Sequence, residues 1–331
     1  MGSPSESPGG RRLSRCGAAD HIQRMTYAVQ SDMGFTVFDR ATLRGRRARA
    51  ARRLGEVDFL IRTAAERLLE RLGDVRRDFP LALELGCHTG QMAEILRDSP
   101  QIGRLVQADL AYEMVRRSTG ARLVADEEAL PFGPDSLDLV LSCFSLHWVN
   151  DLPGTLAQIR YALRPDGLFL AAMPGGTTLA ELRECLMRAE LEIAGGAAPR
   201  ISPFVDVRDA GMLLQRAGFA LPVVDVDTLT VTYDHPLRLM AELRAMGEAN
   251  ALIERGRAPF TRAALLRACE IYRELFGDRE GRVPATFQIL MLSGWTPDPS
   301  QPQPIRRGSG QVNLAEALGV PAEVLDGKGQ R

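Results

Sequence analysis

Apolar positions along the chain follow two alternating rhythms. Val57, Leu60, Ile61, Ala64, Leu68, Leu69 and Leu72 recur at helical spacing and predict an amphipathic helix ending near Gly73. Leu81–Leu85, Arg104–Asp109, Arg122–Ala125, Leu137–Cys143 and Leu168–Met173 then read as short strands. Helices are expected between them at Thr89–Arg97, Ala111–Thr119 and Leu152–Leu163. This alternation calls for an α/β fold, a parallel sheet covered on both faces. After Pro174 the rhythm changes. Helices are expected at 178–193, 207–217, 237–249 and 263–276, with strand-like stretches at Val223–Tyr233 and Pro284–Trp295. The chain therefore divides into a tail (1–34), N-terminal helices (35–78), a sheet domain with helical insertions (79–295) and a C-terminal tail (296–331).

Composition narrows the class of protein. The 45% apolar and 25% charged fractions are those of an ordinary globular protein, and a net charge of −1 gives no pull toward nucleic acid. Lys328 is the only lysine, which reads as a coding bias rather than a binding surface. Cys16, Cys87, Cys143, Cys185 and Cys269 are scattered and never form a CxxC pair, arguing against a disulfide framework or a zinc site. No window reaches the roughly 18–20 apolar residues of a membrane span, so any membrane association is expected to be peripheral. Residues 1–30 read as a disordered tail. The arginine-crowded stretch 38–55 reads as a solvated helix, or as a basic cover over an anionic ligand or acidic partner.

The chemistry concentrates at strand ends. Glu84-Leu85-Gly86-Cys87-His88-Thr89-Gly90 links a strand to a helix through a glycine-punctuated loop. Its spacing departs from the dinucleotide fingerprint, and an acid ahead of the loop repels pyrophosphate. The same acid suits a ligand with a cationic amine and a ribose, such as S-adenosylmethionine. Asp109 ends the second strand, where a carboxylate accepts from ribose hydroxyls. Asp126 follows the third strand, where it can accept from an adenine amino group. Each acid alone would read as a helix cap; three at successive strand ends do not. Cys87, Leu110, Glu127 and Ser145 complete the candidate cofactor set. His147, just past the fourth strand, is a candidate general base, or packs beside the ligand without chemistry. No metal site is expected.

Leu83–Gly90, Ala108-Asp109, Asp126–Phe132 and Asp138–Ser142 resemble the motifs of class I S-adenosylmethionine-dependent methyltransferases. The resemblance implies a Rossmann-like seven-stranded sheet with an antiparallel last strand and helical lid insertions. It places Glu84, Gly86 and Gly90 at the methionine end, Asp109 at the ribose and Asp126 at the adenine. Val37–Arg40, Ser145–Pro153, Ile201–Phe204, Met246–Asn250 and Val283–Gln288 are similar to the methyltransferase-like assembly factor of respiratory complex I. That family's mitochondrial member is understood to hydroxylate an arginine of a complex I subunit. The malonyl-carrier-protein methyltransferase of biotin synthesis is a more distant resemblance. His88 stands where these families usually have glycine, and its side chain is expected to point to solvent.

Three functions follow from these readings: a methyltransferase, an arginine hydroxylase acting on a subunit of complex I (NADH:quinone oxidoreductase), or an assembly chaperone that retains the cofactor pocket. All three imply S-adenosylmethionine binding and a protein partner. The expected location is the bacterial cytoplasm, or the mitochondrial matrix for a eukaryotic source.

Overall fold

The computed structural model describes residues 36–255 and 260–302; the tails expected at 1–34 and over most of 296–331 lie outside the described residues. Helices α1 (Arg40–Ala50) and α2 (Phe59–Gly73) precede β1 (Phe79–Leu85), α3 (Gln91–Ile95), β2 (Ile102–Asp109), α4 (Tyr112–Val115) and β3 (Ala121–Val124). Then come β4 (Leu137–Cys143), α5 (Leu152–Ala162), β5 (Leu163–Pro174), α6 (Ala180–Ala194) and α7 (Val207–Arg216). The described part closes with β6 (Ala220–Tyr233), α8 (Pro236–Met246), α9 (Arg262–Phe276) and β7 (Val283–Trp295).

The seven strands form one sheet in the order β3-β2-β1-β4-β5-β7-β6. β1 pairs in parallel with both β2 and β4, while β7 runs antiparallel to β5 and β6. All seven residues of β4 are buried, as a strand covered on both faces requires. β6 forms one edge, and its Asp225 and Asp227 pair with Arg71 and Arg67 of α2. The predicted sheet with its antiparallel last strand is what forms. The helices at 111–119 and 89–97 come out shorter. α4 stops after one turn, where Ser118 Oγ donates to the Val115 carbonyl at 2.8 Å. α3 ends in a 3₁₀ turn at Leu96–Asp98.

Two apolar cores flank the sheet. On one side α2, α6, α8 and α9 pack against the strands; on the other Leu83, Val140, Phe169 and Leu292 meet α5 and α7. Phe169 is fully buried and stacks on Phe219 at 5.4 Å between ring centroids. Phe169→Ala should cost about 3–5 kcal/mol, since the buried site collapses only in part around the missing ring. Urea denaturation checks this; a loss under about 1 kcal/mol would mean a far looser core.

Candidate functional site

The strand order reverses between β1 and β4, so their carboxyl ends open the crevice where ligands bind in open α/β sheets. Gly86 and Gly90 carry φ of 77° and 100°, and the Gly86 backbone lies so near Ser145 that an added Cβ would sit 2.1 Å from Ser145 Cβ. The loop thus packs against the residue just past β4. Glu84 is 2% exposed, and its Oε2 has no hydrogen-bond partner. Burial, helped by the charge of Asp109, raises its pKa from 4.5 to about 8. Asp109 is fully buried and oriented by backbone N–H donors: Ala111 at 2.8 Å and His88 at 3.2 Å.

His88 departs from its expected place. Its φ is 50°, in the left-handed region, and it is 2% exposed rather than solvent-facing. Nε2–H donates to the Cys143 carbonyl at the end of β4, 2.9 Å away. β1 and β4 are neighbours, so a side chain at this loop position reaches the carbonyl at the end of β4. Burial, and next the charge of Arg47, lower its pKa, so the ring is neutral.

The arginine stretch also differs from a solvated helix. Leu43, Arg47 and Ala50 form the inward stripe of α1, and Arg47 is 1% exposed. Its Nη1 donates to Glu127 Oε1 at 2.9 Å and lies 3.6 Å from Asp109 Oδ1; Nη2 donates to Ser145 Oγ at 3.0 Å. Arg40 pairs with Asp126 and Glu127 at the outer edge. Burial works against the Glu127 charge, but the two guanidinium groups override it and hold the carboxyl down at about 2. Asp126, whose side chain is 30% exposed, stays at the rim.

His147 is brought to a partner absent from the candidate set. Its Nε2 lies 2.9 Å from Glu248 Oε2, which also accepts from Trp148 Nε1 at 2.9 Å. Glu248 is placed by the end of α8: Gly247 adopts φ 90°, and the Glu248 N–H donates to the Leu243 carbonyl at 2.9 Å. Burial opposes its charge, yet His147 and Arg47 bring its pKa below the usual carboxylate range. His88 also feels this carboxylate, but no three-ligand metal cluster occurs among the described residues.

Glu84, Gly86, Asp109, Glu127 and Ser145 therefore converge, with Gly90 and Asp126 at the margins. Cys87 is buried, and burial raises its thiol well above the ordinary range. Leu110 packs with Phe38, Leu43 and Trp148. Arg47 and Glu248 were not among the candidates. A cation on an apolar stripe, four residues after Leu43 and three before Ala50, was the available signal for Arg47. Glu248 lies in the Met246–Asn250 stretch that carries the family resemblance, but nothing local marks it as the partner of His147.

The donor set fits S-adenosylmethionine in kind: a partnerless buried carboxyl for an ammonium, an oriented carboxylate for ribose hydroxyls, and a rim acid for an amino group. The Arg47 guanidinium lies between Asp109 and Glu127, 3.6 Å and 2.9 Å from their carboxylate oxygens.

Sheet order and site together define a class I methyltransferase fold. The model of the Methyltransferase domain family matches residues 83–171. The YcgJ protein of Bacillus subtilis, 15% identical, has the same fold, with a TM-score of 0.50 over 71% of this chain and 98% of that one. The chain is 42% identical over 302 residues to the mitochondrial arginine-hydroxylase NDUFAF5 of Danio rerio, covering 89% of this chain and 94% of that protein. It is 44% identical to the Homo sapiens protein of that name, over 85% of this chain and 83% of that one. A malonyl-[acyl-carrier protein] O-methyltransferase of Laribacter hongkongensis is 34% identical, over 78% of this chain and 90% of that protein. The chain belongs to the NDUFAF5 arginine-hydroxylase family.

The raised pKa of Glu84 has a definite sign. Between about 4.5 and 8 the folded state holds a proton that the unfolded chain releases, so stability falls as pH rises through that window. Glu84→Gln removes this dependence. Its stability relative to wild type should improve by about 1.4 kcal/mol per pH unit from pH 5 to 8 in urea titrations; parallel curves would exclude the assignment.

Proposed function

We propose that this protein modifies an arginine side chain of a protein partner, by hydroxylation, and that the partner is a complex I subunit. The observation that carries the reading is 42% identity over 94% of the length of an arginine hydroxylase. The same proposal places the protein in the bacterial cytoplasm, or in the mitochondrial matrix for a eukaryotic source. No helix among the described residues is long and apolar enough to cross a membrane. A second reading, methyl transfer, is favoured by the strand-end acids, which suit S-adenosylmethionine. A chaperone role without catalysis is the third.

In each reading Glu84 and Asp109 hold the cofactor's methionine and ribose ends, and Asp126 its adenine. In the methyl-transfer reading, S-adenosylmethionine bound there would supply a sulfonium-activated methyl group. The chain's own contributions are orientation, exclusion of water by α1, and a proton held between His147 and Glu248.

Two measurements test this. Asp109→Ala should weaken S-adenosylmethionine binding by about tenfold or more in calorimetry, because a charge-assisted acceptor is lost; equal affinity would exclude this cofactor site. Intact-mass spectrometry of complex I subunits should find one oxygen atom missing from a single subunit when the gene is deleted. A missing methylene group would favour methyl transfer instead. Identical masses would exclude both enzymatic readings on this substrate.

A further inference from the structure

A cavity of about 180 Å³ lies beside the strand-end acids, under α6 and α8. That is far more than the roughly 10–15 Å³ one water requires. Its wall is mainly apolar and aromatic, including Phe144, Trp148, Leu182, Leu186 and Phe204. Into this wall is set one carboxylate, Glu248. Glu248 Oε2 is engaged by His147 and Trp148, while Oε1 has no hydrogen-bond partner among the described residues. Two cations also line the space. Arg200 is neutralised by Glu190 and lies over the Phe260 ring at 5.1 Å. Arg244 sits in the last turn of α8.

We propose that this cavity receives the side chain of the substrate arginine, with Glu248 Oε1 accepting from its guanidinium and the Trp148 and Phe204 rings flanking the cation. The inference rests on the arginine-modifying reading and adds where the substrate binds. An arginine side chain pairs a long apolar stem with a planar cation. An apolar wall with one fixed carboxylate and aromatic faces complements both parts. A neutral or anionic ligand would leave Glu248 buried without a counter-charge on its open side. Arg244 is then left to meet an acidic group near the target arginine in the partner.

The test uses the full-length protein and Nα-acetyl-L-arginine methylamide, with the matching citrulline derivative as a neutral isostere. Trp148 lines the cavity, and Trp295→Phe removes the other tryptophan, so emission reports occupancy. The arginine probe should quench saturably, and the citrulline probe should bind about tenfold more weakly, as loss of a charge-assisted hydrogen bond implies. Glu248→Gln, which keeps an acceptor for Trp148, should erase that discrimination. Leu186→Phe, narrowing the cavity from α6, should weaken both probes while leaving Glu248 in place. Absence of saturable quenching, equal binding of the two probes, or unchanged discrimination in Glu248→Gln overturns the assignment. Complementing the deletion strain with Glu248→Gln separates this from the functional reading. A subunit that regains its oxygen there refutes the pocket and leaves the activity standing. A wild-type subunit that never carries one refutes the activity, and the binding data then decide the pocket alone.

Discussion

The site is organised by one buried cation. The Arg47 guanidinium neutralises Glu127, approaches Asp109 and donates to Ser145, and so joins α1 to the ends of β2 and β4 and to the loop after β3. Leaving one member of such a buried pair uncompensated costs about 3–5 kcal/mol, so α1 is bound to the sheet edge by charge as well as by Leu43 and Ala50. The same acids would otherwise meet a nucleoside. Under the proposed cofactor site, ribose hydroxyls would replace a guanidinium at Asp109, and Arg47 would need a new partner or solvent. The affinity of the pocket is the difference between those two sets of contacts, as in any equilibrium between competing states.

Around that cation Glu127 and Glu248 keep their charge, while Glu84 and His88 lose theirs. Glu84 holds its proton at neutral pH because burial and Asp109 both disfavour a second anion. His88 is neutral because burial and Arg47 disfavour a second cation. The adjoining ends of β1 and β2 then present one carboxylate oriented by backbone donors, Asp109, beside two neutral groups, Glu84 and His88. An ammonium arriving at Glu84 would draw the proton off that carboxyl, which ties ligand charge to proton release.

The alternation of strands and helices and the acids at three strand ends are legible because each follows from local pattern: apolar runs, a glycine turn and an acid at the same relative position; the order of strands is set by pairings between distant segments that no local pattern encodes. Glu84, Asp109 and Asp126 fall where that pattern puts them, although Glu127, the neighbour of Asp126, is the buried member of the pair. The burial of His88 is not legible locally, because it depends on a carbonyl from β4, which lies 55 residues away in sequence and beside it in the sheet. Arg47 was hidden among other arginines; only the phase of α1 distinguishes the one that faces inward. Glu248 has no periodic context, and its position depends on the helix ending at Gly247.

The two compartments, acids at the sheet edge and the apolar cavity, share one short segment. Ser145 binds Arg47 and Glu127, while His147 and Trp148, a few residues on in the 3₁₀ turn Leu146–Trp148, bind Glu248. Arg47 also lowers the proton affinity of Glu248 through its field. A ligand that displaces Arg47 from the acids therefore does more than open a space. It removes a positive charge from the neighbourhood of Glu248, raises that carboxylate's affinity for a proton or another cation, and so favours a cationic side chain entering the adjoining cavity. Coupling of this kind needs no long-range rearrangement, since the same turn adjoins both compartments and the field of the Arg47 guanidinium reaches Glu248.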